Sequence, residues 1–147
     1  MPGDICIDAT MGNGNDTVLL SRLAGENGRV LAFDIQKQAL EHTEERLKKD
    51  DCPENYQLFL DSHENMAAYA EAETVSCITF NLGYLPGGDH SVATRADSSK
   101  RAVESGLTLL KKGGLMTICI YSGGDTGFQE RDAMLSFIRQ LDPHKYL

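Results

Sequence analysis

A chain of 147 residues with 41% hydrophobic content and four prolines is long enough for one domain with a real core and too short for two. Its net charge of −8 argues against indiscriminate binding to a polyanion, and no apolar run approaches the roughly 20 residues that span a bilayer as a helix. Met1-Pro2-Gly3-Asp4 leads straight into a strand-like run, which predicts no signal or transit peptide and a cytoplasmic protein.

The first strand is placed near 5–9, where the apolar run Ile5-Cys6-Ile7 ends in the acid Asp8. It leads through Ala9-Thr10-Met11-Gly12-Asn13-Gly14-Asn15 to Asp16, just ahead of a helical pattern of Leu19, Leu20 and Leu23. Strand, tight turn and helix start follow from that order. Glycine suits such a turn because it takes positive φ freely and lets backbone approach a ligand that lies on the N–H groups of the helix start. Spaced glycines also mark ordinary strand-to-helix turns, so the pattern decides little alone.

The second strand, Val30-Leu31-Ala32-Phe33-Asp34, ends in an acid about 20 residues after the glycines, where nucleotide-binding sheets place the acceptor of the ribose hydroxyls. The dinucleotide fingerprint requires a third small residue where this chain has Thr17, and Asp8 and Asp16 would repel a pyrophosphate. S-adenosylmethionine, with a sulfonium and an ammonium, fits better, and Asp8 is placed for that positive end.

Ala39, Leu40, Thr43 and Leu47 share a face of the second helix. A third strand near 56–60 is followed by Asp61-Ser62-His63-Glu64 and a short helix carrying Met66, Ala67 and Ala70. A helix cap explains Asp61 or Ser62 equally well; in the adenosine reading Asp61 accepts from the adenine amine, with Ser62 and His63 lining the ring. The fourth strand, 75–81, ends at Asn81, and the irregular segment from Gly83 to about Ala96 follows it. Loops of that length inside a domain are usually functional. Asn81 would orient an acceptor amine, and Asp89 and His90 are candidates for taking its proton. Val103, Leu107 and Leu110 predict a helix stopping at Gly113-Gly114, before a fifth strand at 115–121. Ala133, Met134, Phe137, Ile138 and Leu141 make the last stripe.

Alternation of strands and helices predicts a parallel α/β sheet, and right-handed crossovers give the order 3-2-1-4-5 with helices on both faces. The switch point then lies between strands 1 and 4, under the long loop. Cys6, Cys77 and Cys119 read as small core residues, and no cysteine spacing suits a metal or a disulfide framework. Acids cluster around Glu41–Glu54 and bases from Arg95 to Lys112, a solvated face or an RNA patch.

Asp8-Ala-Thr-Met-Gly-Asn-Gly-Asn-Asp16, Phe33-Asp34-Ile35-Gln36, Asp61-Ser62-His63-Glu64 and above all Asn81-Leu-Gly-Tyr-Leu-Pro-Gly-Gly-Asp-His90 resemble a small bacterial family of class I methyltransferases. Its members were long labelled rRNA methylases and are now associated with methylating 5-aminomethyl-2-thiouridine at the tRNA wobble position. The resemblance implies a Rossmann-like sheet over a single domain, 1–147, and S-adenosylmethionine as cofactor. It implies the methionine end on Asp8, Thr10, Gly12, Asn13, Gly14, Asn15 and Asp16, the ribose on Asp34 and Gln36, and the adenine on Asp61, Ser62 and His63. Asn81, Asp89 and His90 would face the amine.

Amino-methyltransferases in general carry Asn/Asp-Pro-Pro-aromatic where this chain has Asn81-Leu82-Gly83-Tyr84, so its acceptor pocket has its own shape. Compared with the family, the chain looks trimmed at both ends, lacking the usual last strand pair and leaving the fifth strand as an apolar edge that invites a homodimer. Two other functions compete: methylation of rRNA or of a small amine, and a non-catalytic nucleotide-binding domain.

Overall fold

The computed structural model of the chain describes residues 2–82, 96–120, 127–143 and 145–146, with the side chains of 96 and 127–131 left aside. Strands β1 (Ile5–Asp8), β2 (Arg29–Asp34), β3 (Tyr56–Leu60), β4 (Val75–Leu82) and β5 (Leu110–Ile120) alternate with helices α1 (Asn15–Ala24), α2 (Lys37–Lys49), α3 (Ala96–Leu109) and α4 (Gly127–Arg139). A 3₁₀ helix, His63–Ala68, precedes β4. All pairings are parallel and the order is β3-β2-β1-β4-β5, as the crossover rule predicts. The carboxyl ends of β1 and β4 therefore flank the crevice where the order reverses.

Strands covered on both faces read as continuous apolar runs, and Val30, Leu31, Ala32 and Phe33 of β2 are all fully buried. One face meets Met66, Ala102, Val103 and Met134 from the 3₁₀ helix, α3 and α4; the other meets Leu20 and Ala24 of α1. Burying a ring such as Phe33 contributes roughly 1.5–3 kcal/mol. No helix among the described residues is long and apolar enough to cross a membrane.

Three expectations change. In α1 the buried face is Thr17, Val18, Leu20, Ser21 and Ala24, whereas Leu19 and Leu23 are 54% and 50% exposed. Small residues let the helix lie close on the sheet, and the two leucines turn outward. The helix before β5 ends at Leu109 and not at the glycine pair, because Leu110 already pairs with Val75. Between that pair and Cys77↔Leu115 the register shifts, and Gly113, at φ 81°, takes up the irregularity inside the strand. Cys6 is buried as expected, but Cys77 is half-buried and Cys119 exposed. Cys119 lies on the outer face of β5 with Leu115, which is 61% exposed. Among the described residues β5 pairs along β4 alone, so its other edge is open.

Candidate functional site

The loop leaving β1 is held from three directions. Asp8 is completely buried; its carboxylate accepts from the Thr17 hydroxyl at 2.6 Å, the Thr10 N–H at 3.2 Å and the Thr79 hydroxyl at 3.5 Å. Asp8 thus braces the turn from beneath, joining α1 and β4 to the end of β1. From the second strand, the Phe33 carbonyl accepts the Met11 N–H at 3.0 Å, and Asp34 accepts the Gly12 N–H at 3.2 Å and the Gln36 N–H at 2.9 Å. From α2, Thr43 donates to the Gly12 carbonyl at 3.1 Å and Arg46 to the Asn13 carbonyl at 2.9 Å. His42 lies 3.3 Å from the Asn13 amide oxygen.

Gly14 caps α1 with φ 89° and no side-chain bond. A Cβ there would sit 3.0 Å from the Thr43 Cα, so both the backbone angle and the close approach of α2 require glycine. Asn15 opens α1 and is exposed.

At the end of β3, Asp61 accepts from the Ser62 N–H at 2.7 Å, the Asn65 amide at 2.9 Å and the Tyr69 hydroxyl at 2.7 Å. Those bonds from Tyr69 and Asn65 hold its carboxyl below the usual range. Ser62 caps the 3₁₀ helix by accepting the Glu64 N–H at 3.3 Å. Tyr69 packs on Phe59 and Phe33, with centroids 4.3 and 5.2 Å away. His63 is buried beside Phe80, ring centroids 5.7 Å apart, and touches the Ala9 backbone; its Nδ1 has no hydrogen-bond partner among the described residues.

Asn81, at the tip of β4, is tied to the first loop twice. Its N–H donates to the Thr10 hydroxyl at 2.5 Å, and its side-chain nitrogen donates to Asp16 at 2.7 Å. The sequence-predicted residues Asp8, Thr10, Gly12, Asp16, Asp34 and Asn81 thus converge on one bonded loop, and Asp61, Ser62 and His63 form the adjoining wall. Asp89 and His90 lie outside the described residues. Sequence reasoning missed Thr17 as the partner of Asp8, Thr79, Thr43, Arg46 and Tyr69. Thr17 stood in plain view as the departure from the dinucleotide fingerprint, whereas the others are joined only by the fold. Of the basic residues that read as a solvated face or an RNA patch, Arg101 pairs with Glu64 at 2.9 Å and Lys111 with Asp4 at 3.7 Å.

Burial pushes the Asp8 carboxyl up from 3.8 to about 7, against the lowering pull of Thr17 and Thr10 and with added repulsion from Asp16 and Asp34. A raised carboxyl means that the folded state holds the proton more tightly. The stability Asp8 contributes is complete below about 3.8 and drains away as pH rises toward 7. His63, lowered by burial from 6.5 to about 4, works oppositely: its contribution is complete above 6.5 and is lost as pH falls toward 4. Asp8→Asn, which cannot ionise, should therefore gain thermal stability relative to wild type between pH 4 and pH 7. Melting curves of both proteins across that range check this; a constant offset would refute it.

Residues 30–147 match the model of the family described as "Putative rRNA methylase". The chain belongs to this family. Its fold matches the crystal structure of a "putative rRNA-methylase" from Clostridium thermocellum at 45% identity and TM-score 0.92, covering 97% of this chain and 76% of that one. A "putative methyltransferase" from Streptococcus mutans, crystallised with S-adenosylhomocysteine, matches at 42% identity and TM-score 0.85, with the same coverage of 97% and 76%. The chloroplastic tRNA (mnm(5)s(2)U34)-methyltransferase of Arabidopsis thaliana is 37% identical over 147 residues, 92% of this chain and 53% of that protein. This rRNA methylase family member spans about half the length of the curated relatives it matches.

Proposed function

We propose that the chain binds S-adenosylmethionine across the carboxyl ends of β1, β2 and β3 and methylates the primary amine of 5-aminomethyl-2-thiouridine at the tRNA wobble position, giving 5-methylaminomethyl-2-thiouridine. The donor set suits that cofactor. Asp34 stands at the strand tip beside the glycine loop, as a ribose acceptor must, with Gln36 adjoining it. The first turn of α1 offers N–H groups to a carboxylate, and Asp16 offers charge to an ammonium. His63, buried between Phe80 and the Ala9 backbone, closes the wall at the adenine end. A relative of 42% identity crystallised with S-adenosylhomocysteine supports the same reading.

The observation that carries the acceptor assignment is the amide of Asn81, fixed at the tip of β4 against both Thr10 and Asp16. When bound, the cofactor supplies an electrophilic methyl: the amine lone pair forms the new C–N bond while the C–S pair stays on sulfur. Asn81 accepts one amine N–H and so aims the lone pair. The nitrogen then sheds a proton, which we assign to Asp89 or His90 on sequence grounds. A wobble base must leave its stack to reach such a crevice. The tRNA relative supports this substrate, and the family's description favours rRNA as the second reading.

Incubating the protein with S-adenosylmethionine and tRNA bearing 5-aminomethyl-2-thiouridine, with ribosomal RNA in parallel, and digesting to nucleosides for mass spectrometry tests both. Methyl on the aminomethyl nitrogen is expected. Methyl on a ring atom or a ribose, or in rRNA alone, overturns the assignment.

A further inference from the structure

Asp16 lies in the first turn of α1, where an acid is ordinarily explained by the helix dipole. Here it does something more specific, since its Oδ2 takes the side-chain nitrogen of Asn81, 65 residues away, at 2.7 Å. An ionised carboxylate can only accept, whereas an amide has a donating end and an accepting end. The end that meets Asp16 must be Nδ2, and Oδ1 is therefore the end turned away from it. Main-chain bonding to Thr10 anchors the same residue at its backbone, and the acceptor on Asp16 disfavours the flipped amide, which would set oxygen against oxygen.

We propose that Asp16 is the positioning residue that sets the polarity of the acceptor site, and with it the choice of a nucleophile that carries its own hydrogen, as an amine does. An outward oxygen accepts an N–H and leaves the nitrogen lone pair free for the methyl. The reversed amide would present NH₂, which binds the lone pair of the amine, or of a ring nitrogen without hydrogen, and so occupies the electrons that must attack. One carboxylate thereby joins the glycine loop to the acceptor side and decides which acceptors are productive. This rests on the amine reading and specifies how it is enforced.

The test compares Asp16→Ala, Asn81→Asp, and the exchanged pair Asp16→Asn with Asn81→Asp. Three quantities are read: kcat at saturating cofactor, S-adenosylhomocysteine affinity by calorimetry, and the methylated atom by mass spectrometry. Asp16→Ala should lower kcat at least tenfold. Asn81→Asp sets two carboxylates against each other and should lower it at least as far. The exchanged pair rebuilds the bond with donor and acceptor swapped and an oxygen still outward, so it should regain at least tenfold over Asn81→Asp alone. A contact between Asp16 and the cofactor's ammonium cannot produce that rescue, because the exchanged pair has no charge at 16. The proposal is overturned if the exchanged pair is no better than Asn81→Asp, or if Asp16→Ala weakens S-adenosylhomocysteine and leaves kcat intact. Should Asp16→Ala fail to fold, the exchanged pair decides alone. Failure of the amine reading is separable, since it appears in the wild-type product before any variant is made.

Discussion

Replacing Asp34 with alanine should weaken S-adenosylhomocysteine binding by about 2 to 4 kcal/mol, roughly 30- to 1000-fold in Kd, the loss of charge-assisted bonds to two ribose hydroxyls. The residue also holds the N–H groups of Gly12 and Gln36, so its removal frees the loop on one side and the start of α2 on the other. Asp34→Asn, which keeps one acceptor oxygen, should fall between. Burial raises the Asp34 carboxyl above its ordinary value, and affinity should accordingly decline at a milder acidity than for an exposed carboxylate. Calorimetry on the three proteins at neutral and acidic pH gives the result directly; unchanged affinity in the alanine variant would remove Asp34 from the site, and tight NAD binding would replace the cofactor.

The second large effect belongs to Asn81. Asn81→Ala should lower kcat by about 100-fold while leaving S-adenosylhomocysteine affinity within a few-fold, because the side chain orients the acceptor and not the donor. Thr10 keeps its bond to the backbone of residue 81 in that variant, so the strand tip stays in place. Methyl incorporation measured at saturating cofactor separates the two quantities. A variant with full kcat would take Asn81 out of the reaction.

The sheet order and the acids at three strand ends were legible in the sequence, because period, crossover handedness and the spacing from Gly12 to Asp34 are local or topological signals. Asp8 shows where that reading stops. Its position at the end of β1 was plain, but its burial depends on Thr10, Thr17 and Thr79 closing over it, and Thr79 is brought there only by the β1–β4 pairing. The same holds for Asp61, whose capping and adenine readings were equally open. The Tyr69 hydroxyl, set by stacking on Phe33 and Phe59, engages it from eight residues on. Leu109-Leu110-Lys111-Lys112-Gly113-Gly114 looks locally like a helix end, yet pairing of Leu110 with Val75 draws the chain into the strand three residues before the first glycine. Local preference yielded there to tertiary contact.

The bonds from Thr43 and Arg46 to the carbonyls of Gly12 and Asn13, with Gly14 pressed on Thr43, bear on how the crevice is lost as well as on how it is made. Although the turn is irregular in outline, it is fastened to the second crossover helix. Its opening and that of α2 are accordingly one cooperative event, with the free energy of a packed helix behind it in place of the near-zero cost of fraying a surface loop. The glycine turn therefore does not open independently of α2.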